Sequence, residues 1–240
     1  YFLNLLMGKF DHVIKSQAMT DIALSISRLS SPNCFSLGAD LETVVSELVA
    51  LKGIIESDEI LSELSNDMIS GVILPKISEE DPGLFFSDCV MPVSKTLKSQ
   101  DLFHFDIIDM TAAPIEYRLT PVISSRHEKL VDKLLIKDIV AYFFPCFMGQ
   151  GLSQTIDDVK KINCETSLVG FHDGWPMVLQ NPEFFLSICE DRALWFSGIN
   201  SETSGVGFCL ETNGNGNFQL WRRPFSHIKP EDFHGLVVTS

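Results

Sequence analysis

Around Gly71 the spacing of apolar residues changes period, and that change restricts the fold more than any other feature of the chain. Before it, Leu3, Leu6, Met7, Phe10, Val13, Ile14, Ala18, Ile22, Ile26 and Leu29 recur at three- and four-residue steps. That is the stripe of one or two amphipathic helices, ended by Ser30-Ser31-Pro32-Asn33. A further helix is expected from Asp40, a good N-cap, with Leu41, Val44, Val45, Leu48, Leu51 and Ile55 on one face. Another follows Ser57, with Asp58 and Glu59 in its first turn, and carries Ile60, Leu61, Leu64 and Met68 towards a stop near Gly71. A helix with one apolar face must bury it against something, so these stripes call for a second layer.

Beyond Gly71 short apolar runs at 72–74, 84–90 and 102–108, bounded by Pro, Gly and acidic turns, read as strands. Residues 115–120 alternate apolar and polar side chains, as a half-buried strand does. Ser125-Arg126-His127-Glu128 reads as a capping box that opens a helix with Leu130, Val131, Leu134, Leu135 and Ile139, running towards Pro145. The runs at 168–171 and 177–179 flank Asp173-Gly174, a hairpin signal that predicts Gly174 at positive φ. Asn181-Pro182-Glu183 opens a short helix, and a strand is read over 194–199. Runs at 205–211 and 218–223 bracket the loop Thr212-Asn213-Gly214-Asn215-Gly216-Asn217, and Lys229-Pro230-Glu231 starts one more helical turn.

Strands and helices do not alternate strictly, which argues against a doubly wound parallel sheet. The class read is α+β: a helical N-terminal part packed on a mainly antiparallel, aromatic-rich β-sheet with a few helices. The divisions are a helical subdomain over 1–70 and an α+β domain over 71–240, or one continuous domain.

Charge then narrows the partners. The formal net charge is −14, and the densest basic cluster is the pair Arg222–Arg223. A field of that sign repels phosphate backbones and anionic headgroups, so no nucleic acid and no membrane insertion are expected. No apolar run approaches the length of a membrane span, and the apolar start from Tyr1 to Phe10 lacks the features of a signal peptide. Six cysteines, at 34, 89, 146, 164, 189 and 209, form no Cys-x-x-Cys pair. They read as free thiols of a cytoplasmic protein, with neither metal nor cofactor expected. The chain opens without Met and reads as a piece of a larger intracellular protein.

Candidate catalytic residues are Cys146, Cys164, His172 and Asp173. His172-Asp173-Gly174-Trp175 could place a base beside an aromatic pocket, although a turn explains every residue but the histidine. Cys146 precedes a glycine-rich loop but is read at a helix C-terminus, where the dipole disfavours a thiolate. His104 and Asp106 are read on one strand face, too few to hold a metal. Candidate binding residues are Trp175, Trp221 and Arg222, because Trp and Arg anchor interfaces. The function expected is a non-catalytic protein–protein interaction or regulatory module that binds another protein. The alternatives are a hydrolase or transferase using Cys and His, or a small-ligand sensor domain.

Overall fold

A computed structural model describes residues 38, 41–64, 69–111, 119–201 and 205–239. The stripe read over residues 3–29, Asp40 and most of the 115–120 run lie outside the described residues. Helix α1 (Leu41–Ser57) leads into α2 (Glu59–Leu64), whose first turn is capped by the Asp58 carboxylate accepting from the Ile60 and Leu61 N–H groups at 3.0 and 3.1 Å. Strand β1 (Ile69–Leu74) follows, then α3, a continuous helical run of Pro82–Leu84, a π-helical Phe85–Val90 and Met91–Ser99. Short strands β2 (Ile107–Asp109) and β3 (Thr120–Pro121) precede α4 (His127–Leu134), β4 (Ile139–Cys146), α5 (Leu152–Lys161) and β5 (Thr166–Leu168). The rest is α6 (Phe171–Gln180), α7 (Pro182–Ile188), β6 (Leu194–Trp195), β7 (Ile199–Asn200), β8 (Val206–Thr212), β9 (Phe218–Pro224) and β10 (Phe233–Thr239).

Among the described residues eight strands form one sheet, ordered β1-β4-β10-β6-β8-β9-β2, with β5 also paired to β10; β3 and β7 make a separate pair. All pairings in the large sheet are antiparallel except β6 with β10 and β2 with β9. The class is therefore α+β, and the aromatic-rich antiparallel sheet is present as read.

The sheet is covered on both faces, and β4 shows why. Its side chains alternate by the period of two: Ile139, Ala141 and Phe143 enter one core, while Val140, Tyr142, Phe144 and Cys146 enter the other. The first core takes Phe85 and Phe86 from α3, Leu130 and Leu134 from α4, Trp175 from α6 and Phe185 from α7. The second takes Val44, Leu48, Leu51 and Ile55 from α1, Leu61 from α2 and Val159 from α5. The apolar face read on α1 is thus the buried one, and the Tyr142 hydroxyl donates to the Leu48 carbonyl at 3.1 Å.

Several local readings change. Residues 84–90 are helical, not a strand: Phe85, Phe86, Cys89 and Val90 are buried, Phe86 against Phe171 and Trp175, while Ser87 and Asp88 are exposed, and a run of seven is too short for that spacing to separate helix from strand. The Asp173-Gly174 hairpin is instead the interior of α6, all ten residues of which are buried. Asp173 accepts the Gly170 N–H at 2.8 Å, so the residue taken for a turn former caps a helix from its third position. Gly174 is required by packing rather than by positive φ, since a Cβ there would lie 2.5 Å from the Phe196 ring. The helix read towards Pro145 stops at Leu134, and residues 139–146 form the strand at the heart of both cores. Only 107 and 108 of the 102–108 run are strand, the 194–199 run splits into β6 and β7, and the last helical turn is Phe225–His227 rather than at Pro230.

Candidate functional site

The turn before α4 delivers an imidazole to the interior. Arg126 adopts a left-handed conformation (φ 63°), and the Ser125 hydroxyl oxygen accepts the His127 N–H at 3.3 Å. His127 then lies against the backbone of two glycines. A Cβ on Gly170 would sit 2.2 Å from His127 Nε2, and one on Gly198 would sit 2.9 Å from its Cγ and 2.4 Å from the Leu168 carbonyl oxygen. Both positions need glycine because the ring occupies the space of their side chains.

Gly170 also starts α6, whose second residue is His172. The His172 Nε2 lies 3.1 Å from the Glu79 carbonyl oxygen, an acceptor, so Nε2 carries the proton and Nδ1 the lone pair. The ring packs on Phe85 at 4.8 Å and stacks over His127 at 6.0 Å. His127, His172 and Asp173 are all at most 1% exposed. Both nitrogens of His127, Nδ1 of His172 and Oδ2 of Asp173 have no hydrogen-bond partner among the described residues. His127 Nδ1 stands 3.5 Å from Asp173 Oδ1, too long to replace one.

Burial sets the charge of this cluster. It lowers His127 to about 3, helped by His172, and lowers His172 to about 4 against the pull of the Glu79 carbonyl and Asp81. It raises Asp173 to about 7 despite the amides that cap it. At neutral pH both imidazoles are therefore neutral, and the His127–Asp173 contact is not an ion pair.

The two rings floor a cleft of about 450 Å³. Its walls are apolar at Pro82, Leu119, Pro121, Val131 and Ile199, and its rim carries Glu79, Glu80, Asp81, Glu128 and Asp132, with no Lys or Arg among the described residues that line it. Helix α4 also borders an oppositely charged depression on Arg126, Lys129 and Lys133, beside Cys164.

The other sequence candidates lie apart from the cleft. Cys146 ends a strand, not a helix, so the dipole argument does not apply to it. It pairs in register with His234 within the second core, and burial pushes its thiol well above the usual range. Cys164 also borders the second core and lies 3.5 Å from the Asp58 carboxylate; burial first, then that charge, raises it. Trp175 is fully buried in the first core between Phe86 and Phe196, on the same helix as His172 and Asp173. Trp221 and Arg222 are half-buried on β9; Arg223 covers the Trp221 ring at 4.6 Å, and Arg222 donates to the Ser201 hydroxyl at 3.2 Å. His104 faces Asp101 at 3.5 Å while Asp106 pairs with Lys98, so the pair read on one face does not form.

In the sequence His127 is marked only by its place within a capping box, and Glu79-Glu80-Asp81 has the composition of a solvated loop. A second buried pair has no mark in the sequence. The Ser197 hydroxyl donates to His234 Nδ1, and His234 Nε2 donates to the Gln150 carbonyl at 2.9 Å, with neither side chain reaching solvent. Among the described residues no group of three or more His, Cys, Asp or Glu is placed to hold a metal, and no helix is long and apolar enough to cross a membrane. No protein-family model, curated protein or solved structure matches the chain.

Proposed function

We propose that the chain is a non-catalytic interaction module, and that it binds another protein through the cleft between α3 and α4. The observation that carries this reading is the floor of the cleft, where neutral imidazole nitrogens are buried without partners. An unpaired buried polar group costs about 1–3 kcal/mol, and a ligand that supplies the missing bond recovers it.

Catalysis by Cys and His is less well supported. Cys146 belongs to the second core, whereas His172 and Asp173 are on a helix of the first, so the sheet lies between thiol and base. Raised thiol pKa values leave little thiolate at neutral pH. One observation favours the small-ligand sensor as a second reading: about 450 Å³ falls within the size range of small-molecule sites.

The test compares two folded variants of the full chain in crosslinking and affinity capture. Glu128→Lys with Asp132→Lys reverses the charge of two exposed rim residues; Cys146→Ala with Cys164→Ala removes the candidate thiols. The expected result is a partner protein held by the wild type and the cysteine variant, with capture by the rim variant at least about tenfold weaker. Turnover that disappears in the cysteine variant, with capture intact, would transfer the function to the enzyme reading.

A further inference from the structure

We propose that the cleft is selective for an organic cation, an alkylammonium or guanidinium on an apolar stem. The proposal rests on the cleft being the binding surface, and it names the chemistry that surface takes.

Three independent features converge. The first is the sign of the field: among the described residues every charged side chain lining the cleft is a carboxylate, and those of Glu128 and Asp132 project from the exposed side of α4. An anion is repelled there, and a cation gains from each carboxylate it approaches. The second is the floor. His172 has committed its N–H to the Glu79 carbonyl, so its buried Nδ1 is an acceptor awaiting a donor. His127 is neutral, so of its two unpartnered nitrogens one is a further acceptor and the other an N–H donor. Ammonium and guanidinium groups are donors without any acceptor, the complement of those two lone pairs. The third is the wall, where Leu119, Val131 and Ile199 offer apolar surface to the methylene stem of a long basic side chain.

The glycines at 170 and 198 belong to the same design. They admit the His127 ring to a position where it meets the cleft, and a side chain at either would displace it. Neutral histidines also suit the ligand, because an imidazolium would repel a cation and offer it no lone pair.

The same cation can come from a free amine or from a lysine or arginine of a partner protein. The experiment titrates the full ¹⁵N-labelled chain and follows the ring resonances of His127 and His172. Its probes are butylamine, a lysine-containing peptide, an arginine-containing peptide, the lysine peptide acetylated at Nζ, and a glutamate-containing peptide. The basic peptides are expected to shift both histidines. Affinity should fall about tenfold in Glu128→Gln with Asp132→Gln, and again when salt rises from about 0.05 to about 0.5 M. The acetylated and acidic peptides should leave the rings unmoved. A basic peptide binding more tightly than butylamine identifies a protein as the source, and equal affinities identify a free amine.

Equal response to the acetylated peptide would overturn cation selectivity while leaving a binding module in place. So would silence from every cationic probe alongside a captured partner that still depends on the rim. Histidine shifts with basic probes, combined with partner capture indifferent to the rim, would uphold the cation site and end the protein-binding reading. Both rim variants alter exposed residues, so folding survives them and each outcome decides.

Discussion

His127 occupies volume that two glycines vacate, and the consequence reaches its titration. In an unfolded chain the imidazole titrates near its ordinary value of about 6.5, whereas in the fold it is held at about 3. A depressed folded-state value means that the unfolded state takes up protons first on acidification. The contribution is fully present above about pH 6.5 and is lost as pH falls towards the folded value. His172, held at about 4, acts in the same direction. Asp173, raised to about 7, acts oppositely: its contribution is complete below its ordinary range and fades as pH rises through about 7. Between pH 4 and 6.5 two histidines oppose one carboxyl, and these three groups together make stability fall on acidification. Urea unfolding over that range should show His127→Gln losing less stability than the wild type, the slopes differing by up to about 1.4 kcal/mol per pH unit, the limit for one group. Parallel slopes would mean that His127 is already protonated in the fold. Little of this was legible beforehand. His172 and Asp173 stood out as a polar pair, but His127 is 45 positions away, and Gly170 and Gly198 carry no mark of the ring they accommodate.

Elements were legible in the sequence where one side meets solvent or a turn is chemically marked. The hairpin of β8 and β9 was read because its Asn-Gly loop has a visible mechanism: Asn213 Oδ1 accepts the N–H groups of Asn215 and Asn217, both at 3.0 Å. The stripe of α1 was read because its other face is exposed. By contrast α6 is buried on every side, so its apolar run has no helical period, and Asp-Gly was taken for a turn. Its last residue shows why it must be a helix. The Gln180 side-chain amide accepts the Ile73 N–H at 3.0 Å and donates to the Ile73 carbonyl at 2.8 Å, closing the outer edge of β1 as a neighbouring strand would. An open edge invites pairing with other chains. Gln180→Leu should cost about 2–4 kcal/mol by orphaning both backbone groups. The expected companion is faster hydrogen exchange at Ile73; a stability unchanged from wild type would show that this edge is held by other contacts.

At the scale of the molecule, the sheet is insulated on two faces by helices from different parts of the chain. The first core draws on α3, α4, α6 and α7, and the second on α1, α2 and α5. The N-terminal helices therefore share a core with the sheet, and this bears on whether residues before and after 71 can fold apart. Without α1 and α2 a fragment of residues 65–240 would present Ile73, Val140, Tyr142, Phe144 and Val238 to water, with α5 the one described helix left on that face. A patch of that kind exceeds what a lone folded domain ordinarily tolerates. The Tyr142 hydroxyl would also lose the Leu48 carbonyl, its partner within the second core. The fragment should bind a hydrophobic dye, self-associate in sedimentation and lose a sharp urea transition. The point-mutation counterpart is Leu48→Asp in the full chain, which places a charge at a position 5% exposed and should cost about 3 kcal/mol or more. The pair of measurements separates two outcomes. If α1 is integral to one cooperative unit, Leu48→Asp lowers the single midpoint of the whole protein and the fragment fails to fold. If residues 65–240 are autonomous, the fragment unfolds cooperatively as a monomer, and Leu48→Asp leaves the main transition where it was while α1 melts separately.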